Sequence, residues 1–454
     1  MKRMKKWLGL GLAFAMTATA LAGCGAAKNE PAATPAASMP ADTMAGDSKD
    51  METDAPMAEE PGLPSGKINI AMLNDESANI QQIIDSYHMI NPNLEINCIE
   101  IPSNEYMDKM IVQLSGNADI DLFWAGNNAQ YSDFISKGLA MPLDDLIARD
   151  KVDMTPYGIT YDGIKYEGKV YEMPIRNSIW VLYYNKDLFD AAGVEYPKGG
   201  MTYSEYRELA KKMTSGSGEN KIWGGYIHTW PISWDRYAIQ QGHTIIDTDL
   251  SPFVDALQFR LDMEADGSIM PYTEQIATSA SYKTEFAKGT LAMHVMGDFH
   301  IGQLRQLEKD GEINFNWDIV STPVPDGVSA NTTTGMSAGF CINSKSKNVD
   351  GAWDFLKYAS GEAGAEVYVK SGYVPAYIND SIKAQLTYDG MTAPENIGIL
   401  LDQKVYMEYP AVPGINQVEK IFDEESQLAF AGEHTAQEAI DEISRRVKEL
   451  NLGK

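Results

Sequence analysis

From residue 67 onward, strand-like and helix-like segments alternate, and this alternation restricts the chain to a small set of folds. Residues 67–73, 94–101 and 119–124 are apolar runs of strand length. Residues 79–90 and 104–114 lie between them and carry apolar side chains at helical spacing. A βαβαβ order predicts a parallel sheet covered by helices on both faces. The predicted fold class is therefore α/β.

The rest of the chain continues in the same style. Residues 179–184 and 291–296 are predicted strands, and residues 203–213, 349–360 and 435–450 are predicted helices. The 388 residues from Lys67 onward are too many for one ordinary hydrophobic core. We therefore expect two lobes.

The N-terminus has the pattern of an export signal. Four basic residues among the first six precede an uncharged apolar run over positions 7–22, and Leu21-Ala22-Gly23-Cys24 follows. That run is too short to cross a ~30 Å hydrocarbon core comfortably. A cysteine directly after Leu-Ala-Gly resembles the lipobox of bacterial lipoproteins, in which the thiol is acylated. We predict a signal peptide over residues 1–23 and a lipid on Cys24; an ordinary signal with a chance cysteine is the plainer alternative.

The segment behind Cys24 and the overall charge set further limits. Residues 24–66 contain almost no large branched or aromatic side chains and are predicted to be a disordered tether. The chain has 37 basic and 64 acidic residues; removing residues 1–23, which hold four basic residues and no acidic one, changes the net charge from −27 to −31. Such a surface repels phosphate backbones and anionic headgroups, which argues against a nucleic-acid partner.

Cysteine and histidine positions give no sign of a metal or a cofactor. Cys98 and Cys341 each lie inside a strand-like run, where buried free thiols are more common than a disulfide, although an exported protein permits one. The chain has no paired CxxC spacing, no HExxH and no Gly-rich phosphate loop. Residues 262–267 resemble the start of a calcium loop, but its twelfth position is Thr273, so we expect a helix that ends at Gly267.

One pentapeptide suggests an enzyme. Gly335-Met336-Ser337-Ala338-Gly339 matches the GxSxG pattern of a serine hydrolase, which requires a strand before the serine and a helix after it. Here residues 331–334 look like a turn and residues 340–343 look like a strand, which reverses that order. A hydrolase that uses Ser337 is therefore the least favoured reading.

Aromatic residues in Gly- and Pro-rich sequence indicate a binding site. Residues 223–234 hold four large rings without helical or strand periodicity. Trp124 ends a predicted strand and precedes Gly126-Asn127-Asn128, and ligands of open α/β sheets bind at the carboxyl ends of strands. Aromatic faces suit the C–H faces of a sugar, while Asn, Asp and Arg suit its hydroxyl groups. The alternative is that these rings belong to the core.

Several motifs, taken in order, resemble the extracellular solute-binding proteins of carbohydrate ABC importers, the family that includes maltose-binding protein. The most specific ones are Asp119-Ile120-Asp121-Leu122-Phe123-Trp124-Ala125, Gly168-Lys169-Val170-Tyr171-Glu172-Met173-Pro174, Tyr183-Tyr184-Asn185-Lys186-Asp187-Leu188-Phe189, Phe286-Ala287-Lys288-Gly289, Ala352-Trp353-Asp354-Phe355-Leu356-Lys357 and Gly372-Tyr373-Val374-Pro375. The resemblance implies a two-lobed periplasmic-binding-protein fold of type II. It assigns residues 67–175 and 331–375 to lobe 1 and residues 176–330 and 376–454 to lobe 2, with a ligand cleft between them. The chain would cross between the lobes near residues 174–178 and 321–330 and again after Tyr373.

The resemblance also implies which residues touch the ligand. Two positions depart from relatives, because Asn127 and Ser178 replace acidic residues that hold sugar hydroxyls. Phe299 stands where the family often has Trp, and Arg176 would pair either with an acidic sugar or with a neighbouring carboxylate. The implied ligand contacts are Asn74, Asp75, Trp124, Asn127, Arg176, Asn177, Ser178, Tyr226, Trp230, Trp234, Asp298, Phe299, Gly335, Met336, Tyr373, Tyr409 and Asn416.

The predicted function is non-enzymatic. A monomer anchored by lipid to the outer face of the cell membrane would capture a mono- or oligosaccharide and deliver it to the permease subunits of an ABC transporter, without cofactor or metal. The main alternative is the same fold with another solute, such as a polyamine, a peptide or a metal complex.

Overall fold

The computed structural model describes residues 62–370, 373–386 and 394–452. The predicted signal peptide, Cys24 and the tether as far as residue 61 lie outside the described residues. The strands are β1 Gly66–Leu73, β2 Leu94–Ile101, β3 Leu122–Ala125, β4 Glu172–Asn185, β5 Met293–Gly297, β6 Trp317–Ser321, β7 Thr332–Ile342 and β8 Lys404–Met407.

Helices separate and cover these strands. They are α1 Ser77–His88, α2 Tyr106–Ser115, α3 Asn128–Ser136, α4 Asp144–Asp150, α5 Ile159–Gly163, α6 Lys186–Ala192, α7 Tyr203–Met213, α8 Ile232–Ile239, α9 Pro252–Ala265, α10 Tyr272–Thr278, α11 Tyr282–Ala287, α12 Phe299–Lys309, α13 Val349–Ser360, α14 Glu362–Lys370, α15 Asp380–Leu386, α16 Ile415–Phe430 and α17 Ala436–Glu449. Short 3-10 helices cover Ser103–Glu105, Thr155–Tyr157, Gly218–Asn220 and Ile397–Leu401. The predicted α/β class is confirmed.

The opening βαβαβ unit forms a parallel sheet, as predicted. β1 lies between β2 and β3 and pairs in parallel with both. The sheet then becomes mixed, because β7 pairs antiparallel with β3 and with β4. The strand order is β2-β1-β3-β7-β4-β5, with β6 paired to β4 and β8 paired to β7.

Buried apolar side chains form two separate cores. The first core comes from residues 68–175 and 338–376 together with Ala411. The second core comes from residues 180–319 and 382–443, with Ala129, Ala365 and Val374 added. The predicted lobe limits stay predictions.

Two long strands pass from one core to the other. In β4, residues 172–179 pair with β7, while residues 180–185 pair with β5 and β6. A bulge interrupts the β4–β7 ladder between Pro174 and Arg176. At Ile175, inside this bulge, the carbonyl accepts a 2.8 Å hydrogen bond from the amide of Ala376, which lies on a third connecting segment. A Cβ at Gly339 would lie 2.1 Å from the carbonyl oxygen of Met173, so the close approach of the two strands requires glycine there.

Some local predictions were wrong. The segment over residues 331–334 is not a turn, because β7 begins at Thr332. Thr332, Thr333 and Thr334 are fully buried, and β-branched side chains suit a buried strand. The Thr333 hydroxyl donates a 2.6 Å hydrogen bond to the carbonyl of Trp180, which removes the cost of burying it. β4 also begins seven residues before its predicted start at residue 179.

Other local predictions are confirmed. Cys98 and Cys341 are free thiols, the first partly exposed and the second buried. Helix α9 ends before Gly267, whose φ of +68° is the left-handed conformation that terminates helices. Within the described ranges, no helix combines the length and the apolar character needed to cross a bilayer.

Candidate functional site

The centre of the candidate site is a buried arginine on the crossing strand β4. The Arg176 guanidinium donates to Oε1 of Glu76 from Nη2 at 2.9 Å and from Nε at 3.2 Å, and it donates to the Ser178 hydroxyl from Nη1. Its plane lies over two rings, with Cζ 5.9 Å from the Trp124 ring centre and 5.3 Å from the Phe299 ring centre. Glu76 follows β1 in the first core and Phe299 begins α12 in the second, so Arg176 connects the two cores.

Local backbone structure fixes the two rings on either side of Arg176. Trp124 pairs with Phe340 across β3 and β7, and the two rings meet edge to face at 5.1 Å. Phe299 folds back over the backbone of Gly297, where an added Cβ would lie 2.3 Å from the ring. The Trp124 indole N–H is buried and has no acceptor among the described residues. Such an unpaired buried donor favours a bound polar partner.

A continuous run of rings leads from Arg176 to the surface. Phe299 and Tyr282 have ring centres 6.1 Å apart, and Tyr282 lies 5.6 Å from Trp230. The imidazole of His228 fills the space beside them, 4.5 Å from Trp230 and 5.4 Å from Tyr282. Trp230 ends the run with 40% of its surface exposed. This arrangement offers aromatic faces to a ligand that enters at Trp230.

The exposed end of this run opens into a groove of about 410 Å³. One side of the groove is the Thr229–Pro231 loop, and the other is the first part of α16. The polar side chains that line it are Asn416, Glu419, Lys420, Asp423 and Gln427. Trp230 and Asn416, both predicted ligand contacts, therefore share one groove.

Acidic groups along this path are difficult to ionise. Burial raises the pKa of Asp298 to about 7 even though Arg176 lies close enough to oppose the shift. Burial likewise raises the pKa of Glu408 to about 7, and burial together with Glu408 and Asp423 raises the pKa of Glu419 to about 7. His228 shifts in the other direction, because burial and then Arg260 lower its pKa to about 4 and keep it neutral. Carboxyl groups thus outnumber the cations that could offset them.

The sequence matches the family profile of bacterial extracellular solute-binding proteins over residues 82–389, which is more than half of the chain. The chain belongs to this family. The resemblance seen in the sequence motifs is therefore confirmed.

Three similar proteins illustrate the relationship. A sugar transporter of Rhizobium etli, solved in an open conformation, is 30% identical with a TM-score of 0.73, and the match covers 85% of this chain and 99% of that one. An ABC substrate-binding protein of Listeria monocytogenes, in complex with cycloalternan, is 23% identical with a TM-score of 0.74 over 86% and 99% of the two chains. The sn-glycerol-3-phosphate-binding periplasmic protein of Yersinia enterocolitica is 25% identical over 302 residues, 60% of this chain and 65% of the relative. These matches confirm the two-lobed solute-binding fold.

The structure of this solute-binding protein brings some of the predicted contacts together. Trp124, Arg176, Ser178, Asp298 and Phe299 meet where the two cores adjoin, and Trp230 and Asn416 line the adjoining groove. In Asn127, Oδ1 accepts a 2.9 Å hydrogen bond from the amide of Gln130, so this side chain caps α3. Asn74 and Asp75 are exposed beside Glu76, and the Asp75 carboxylate accepts a 2.7 Å bond from the Ser103 hydroxyl.

Other predicted contacts lie inside the protein. Trp234 belongs to the second core and stacks on Phe422 at 6.1 Å, and Tyr226 is buried with its hydroxyl 3.1 Å from Nδ1 of His228. Tyr409 is buried and donates to Asp235 at 3.2 Å. Tyr373 is partly buried and packs on Gly302 of α12. Ligand contact by any of these residues stays a prediction.

Asn177, Gly335 and Met336 line a different cavity. It has a volume of about 230 Å³, and Ser178 also reaches it. An added Cβ at Gly335 would lie 2.7 Å from the carbonyl oxygen of Ser178, so glycine permits the close pairing of β4 and β7 here. The predicted contacts thus divide between two places on the crossing strands.

Several site residues escaped the sequence reasoning. Glu76 is one position beyond the predicted pair Asn74 and Asp75, yet it alone of the three is buried against Arg176. Tyr282, His228, Glu408 and Glu419 were also missed. His228 lies within the aromatic-rich segment, and Glu408 and Glu419 lie close in sequence to the predicted contacts Tyr409 and Asn416, so their positions were usable signals, whereas Tyr282 had no such neighbour.

The remaining chemical motifs have structural roles. Ser337 lies inside β7 and is 1% exposed, and its hydroxyl donates a 2.6 Å bond to Glu172. A serine in the middle of a paired strand lacks the exposed turn of a nucleophile elbow. Burial raises the pKa of Glu172 to about 8, with the Ser337 bond opposing the shift. In the described part of the chain, no cluster of three or more His, Cys, Asp or Glu side chains is arranged to hold a metal ion.

Proposed function

We propose that this protein is a lipid-anchored binder that captures a carbohydrate outside the cell and delivers it to an ABC permease. The observation that carries the proposal is the set of rings at and beyond Arg176. The Arg176 Cζ lies 5.9 Å from the Trp124 ring and 5.3 Å from the Phe299 ring, and Tyr282 and Trp230 continue from Phe299 at 6.1 and 5.6 Å. Aromatic faces of this kind pack against the C–H faces of sugar rings.

Polar groups beside the rings suit hydroxyl groups. The Trp124 N–H and one carboxylate oxygen of Asp298 are buried and have no partner among the described residues. A sugar hydroxyl both donates and accepts, so one hydroxyl group could satisfy groups of either kind. An unpaired buried polar group costs about 1–3 kcal/mol, and ligand binding would recover part of that cost.

The similar proteins support a sugar as the solute. The Rhizobium etli protein is a sugar transporter, and the Listeria monocytogenes protein binds cycloalternan. The Yersinia enterocolitica relative binds sn-glycerol 3-phosphate, which is anionic. In this protein the guanidinium of Arg176 is already paired with Glu76, so the charge expected for a phosphate or uronate partner is in use. A neutral or cationic solute therefore fits better than an anion.

A lipid on Cys24 would complete the delivery mechanism. A flexible tether of about forty residues has an r.m.s. reach of roughly 35 Å. Such a tether would hold a monomeric binder at high local concentration beside its permease. Replacement of Cys24 by Ala should release the protein into the medium and abolish incorporation of labelled palmitate; unchanged membrane retention would contradict the lipid anchor.

The solute class can be tested by a thermal-shift screen followed by calorimetry. Neutral mono- and oligosaccharides are compared with uronates, sn-glycerol 3-phosphate, polyamines and short peptides. A ligand that binds only the folded protein raises its melting temperature. We expect a carbohydrate to give the largest shift, and a larger shift with a peptide or a polyamine alone would contradict the proposal.

A further inference from the structure

The groove next to Trp230 differs from the rest of the site in its charge. Trp230 and Tyr272 contribute rings, and Glu419 and Asp423 contribute carboxylates from successive turns of α16. Lys420 also borders the groove, but its ammonium pairs with Glu424 at 3.9 Å, and its side chain is 75% exposed. The groove therefore combines aromatic faces with acids, and its one lysine has a partner elsewhere.

The acids of the groove have few partners. Glu419 forms no hydrogen bond or ion pair with any described residue, whereas Asp423 accepts one 2.9 Å bond from the Gln427 amide. Asp235, in the first turn of α8, is fully buried close to Glu419 and Glu408. Its Oδ2 accepts from Tyr409, while its Oδ1 has no partner among the described residues. Arg236 lies close enough to Asp235 and Glu408 to offset part of their charge, whereas Glu419 has no ion pair with any described residue.

The combination of rings and carboxylates has a specific chemical meaning. An ammonium group over a Trp or Tyr face is held by the electrostatic field of the ring, and adjacent carboxylates add charge-assisted hydrogen bonds. A neutral hydroxyl group would satisfy one carboxylate oxygen but would leave the like charges uncompensated. An anion would add to the repulsion.

We propose that the groove formed by Trp230, Tyr272, Asn416, Glu419 and Asp423 binds the ammonium group of an amine-bearing carbohydrate. This inference rests on the proposed carbohydrate function and names the solute class more narrowly. The run of rings from Trp230 through Tyr282 toward Phe299 would hold the sugar body, and Glu419 would select the amine. Glu419 is then a specificity-determining residue.

Disaccharides with the same backbone and different nitrogen groups test the proposal. Isothermal titration at neutral pH compares the free-amine disaccharide of chitosan with N,N′-diacetylchitobiose and with cellobiose. We expect the free-amine sugar to bind about tenfold more tightly than cellobiose, a difference of ~1.4 kcal/mol. In Glu419→Gln, which keeps the shape but removes the charge, the free-amine sugar should lose that advantage while cellobiose changes little.

Control variants separate the charge effect from folding. Glu433→Gln removes an exposed carboxylate just after α16 and should leave all three affinities unchanged. If Glu419→Gln melts well below the parent, Asp423→Asn replaces it in the same comparison. Equal affinity for the free-amine and neutral sugars would overturn the inference and leave the proposed function intact. Spermidine is titrated in the same way. If spermidine binds but no sugar binds, either here or in the thermal-shift screen, both the inference and the proposed function are overturned.

Discussion

The buried charge of Arg176 and the partly exposed charge of Glu419 have opposite surroundings. Arg176 has Glu76 as a partner at 2.9 Å, the Ser178 hydroxyl as a second acceptor and aromatic rings on either side. Glu419 has the carboxyl groups of Glu408, Asp423 and Asp235 as neighbours and forms no ion pair with any described residue. The first arrangement is complete within the protein, whereas the second lacks a component. A completed ion pair holds the structure together, and an incomplete one is where a ligand would be stabilised most.

Two tryptophans, one beside Arg176 and one at the groove, should show this difference most strongly. Trp124 is fully buried beside Arg176, whereas Trp230 is 40% exposed at the groove. Trp124→Ala should lower the free energy of unfolding by about 3–5 kcal/mol, because it leaves a large cavity. Trp230→Ala should cost less than about 1 kcal/mol but weaken ligand binding at least about tenfold. Urea denaturation and calorimetry measure the two effects, and equal stability losses would contradict the distinction.

Arg176→Met should give the next largest effect. The variant removes the cation but leaves the Glu76 carboxylate buried, which in other proteins costs about 3–5 kcal/mol. We expect about 3 kcal/mol, the low end of that range, since the Tyr368 hydroxyl still donates to Glu76 at 3.5 Å.

Arg149→Met is the matched control for the Arg176 prediction. Arg149 pairs with Asp150 and Asp350 at a half-exposed site, where an ion pair contributes about 0–1 kcal/mol. If the two substitutions shift the urea midpoint equally, the buried ion pair is not the stabilising feature described here.

The sequence predicted the fold better than the site, for a physical reason. Strand and helix periodicity depends on neighbours in sequence, so all five elements over residues 67–124 were recognised, although β3 begins at Leu122 and not at residue 119. Which side chain of Asn74-Asp75-Glu76 turns inward depends on Arg176, 100 residues later, and no local pattern encodes that choice. The segment over residues 331–334 was misread as a turn because of its Asn and Thr residues. In the structure Thr332, Thr333 and Thr334 are buried and pair with β8, so they belong to β7.

The aromatic-rich segment shows the same limit. Trp230 and Trp234 are equally conspicuous in the sequence, but Pro231 lies between them and α8 begins at Ile232. Trp230 therefore stays in a loop at the groove, while Trp234 turns with the helix into the second core. The clustering of aromatic residues in the sequence could not reveal Tyr282. This residue begins a separate helix about fifty residues later and reaches Trp230 only through the tertiary fold.

The pH dependence of stability should come mainly from the acidic groups with raised pKa. The pKa of Asp298 is about 7 in the folded protein and about 3.9 in the unfolded chain, so the folded state holds the extra proton between these values. Stability should therefore fall as pH rises from about 4 to about 7, by up to about 4 kcal/mol from Asp298 alone, because each unit of pKa difference corresponds to about 1.4 kcal/mol. Asp298→Asn should flatten this part of the profile of melting temperature against pH. An unchanged slope in the variant would show that Asp298 ionises normally.

The smallest effect should come from a Glu→Gln substitution made next to Arg176, at Glu76, and at Glu419 itself. Glu76→Gln removes the charge that pairs with Arg176 but keeps an amide oxygen that can accept its hydrogen bonds, so it should lower the free energy of unfolding by less than Arg176→Met does, by about 1–2 kcal/mol. Glu419→Gln mimics the protonated acid, whose folded pKa of about 7 means that it is mostly ionised at pH 8 and mostly neutral at pH 5. Glu419→Gln should therefore raise stability slightly at pH 8, by less than about 1 kcal/mol, and leave it unchanged at pH 5.

The signs of the two stability changes at pH 8 distinguish the two sites. Opposite signs would support a charge that is paired at Arg176 and unpaired at Glu419. A loss of stability in both variants would mean that Glu419 has a cationic partner within the protein.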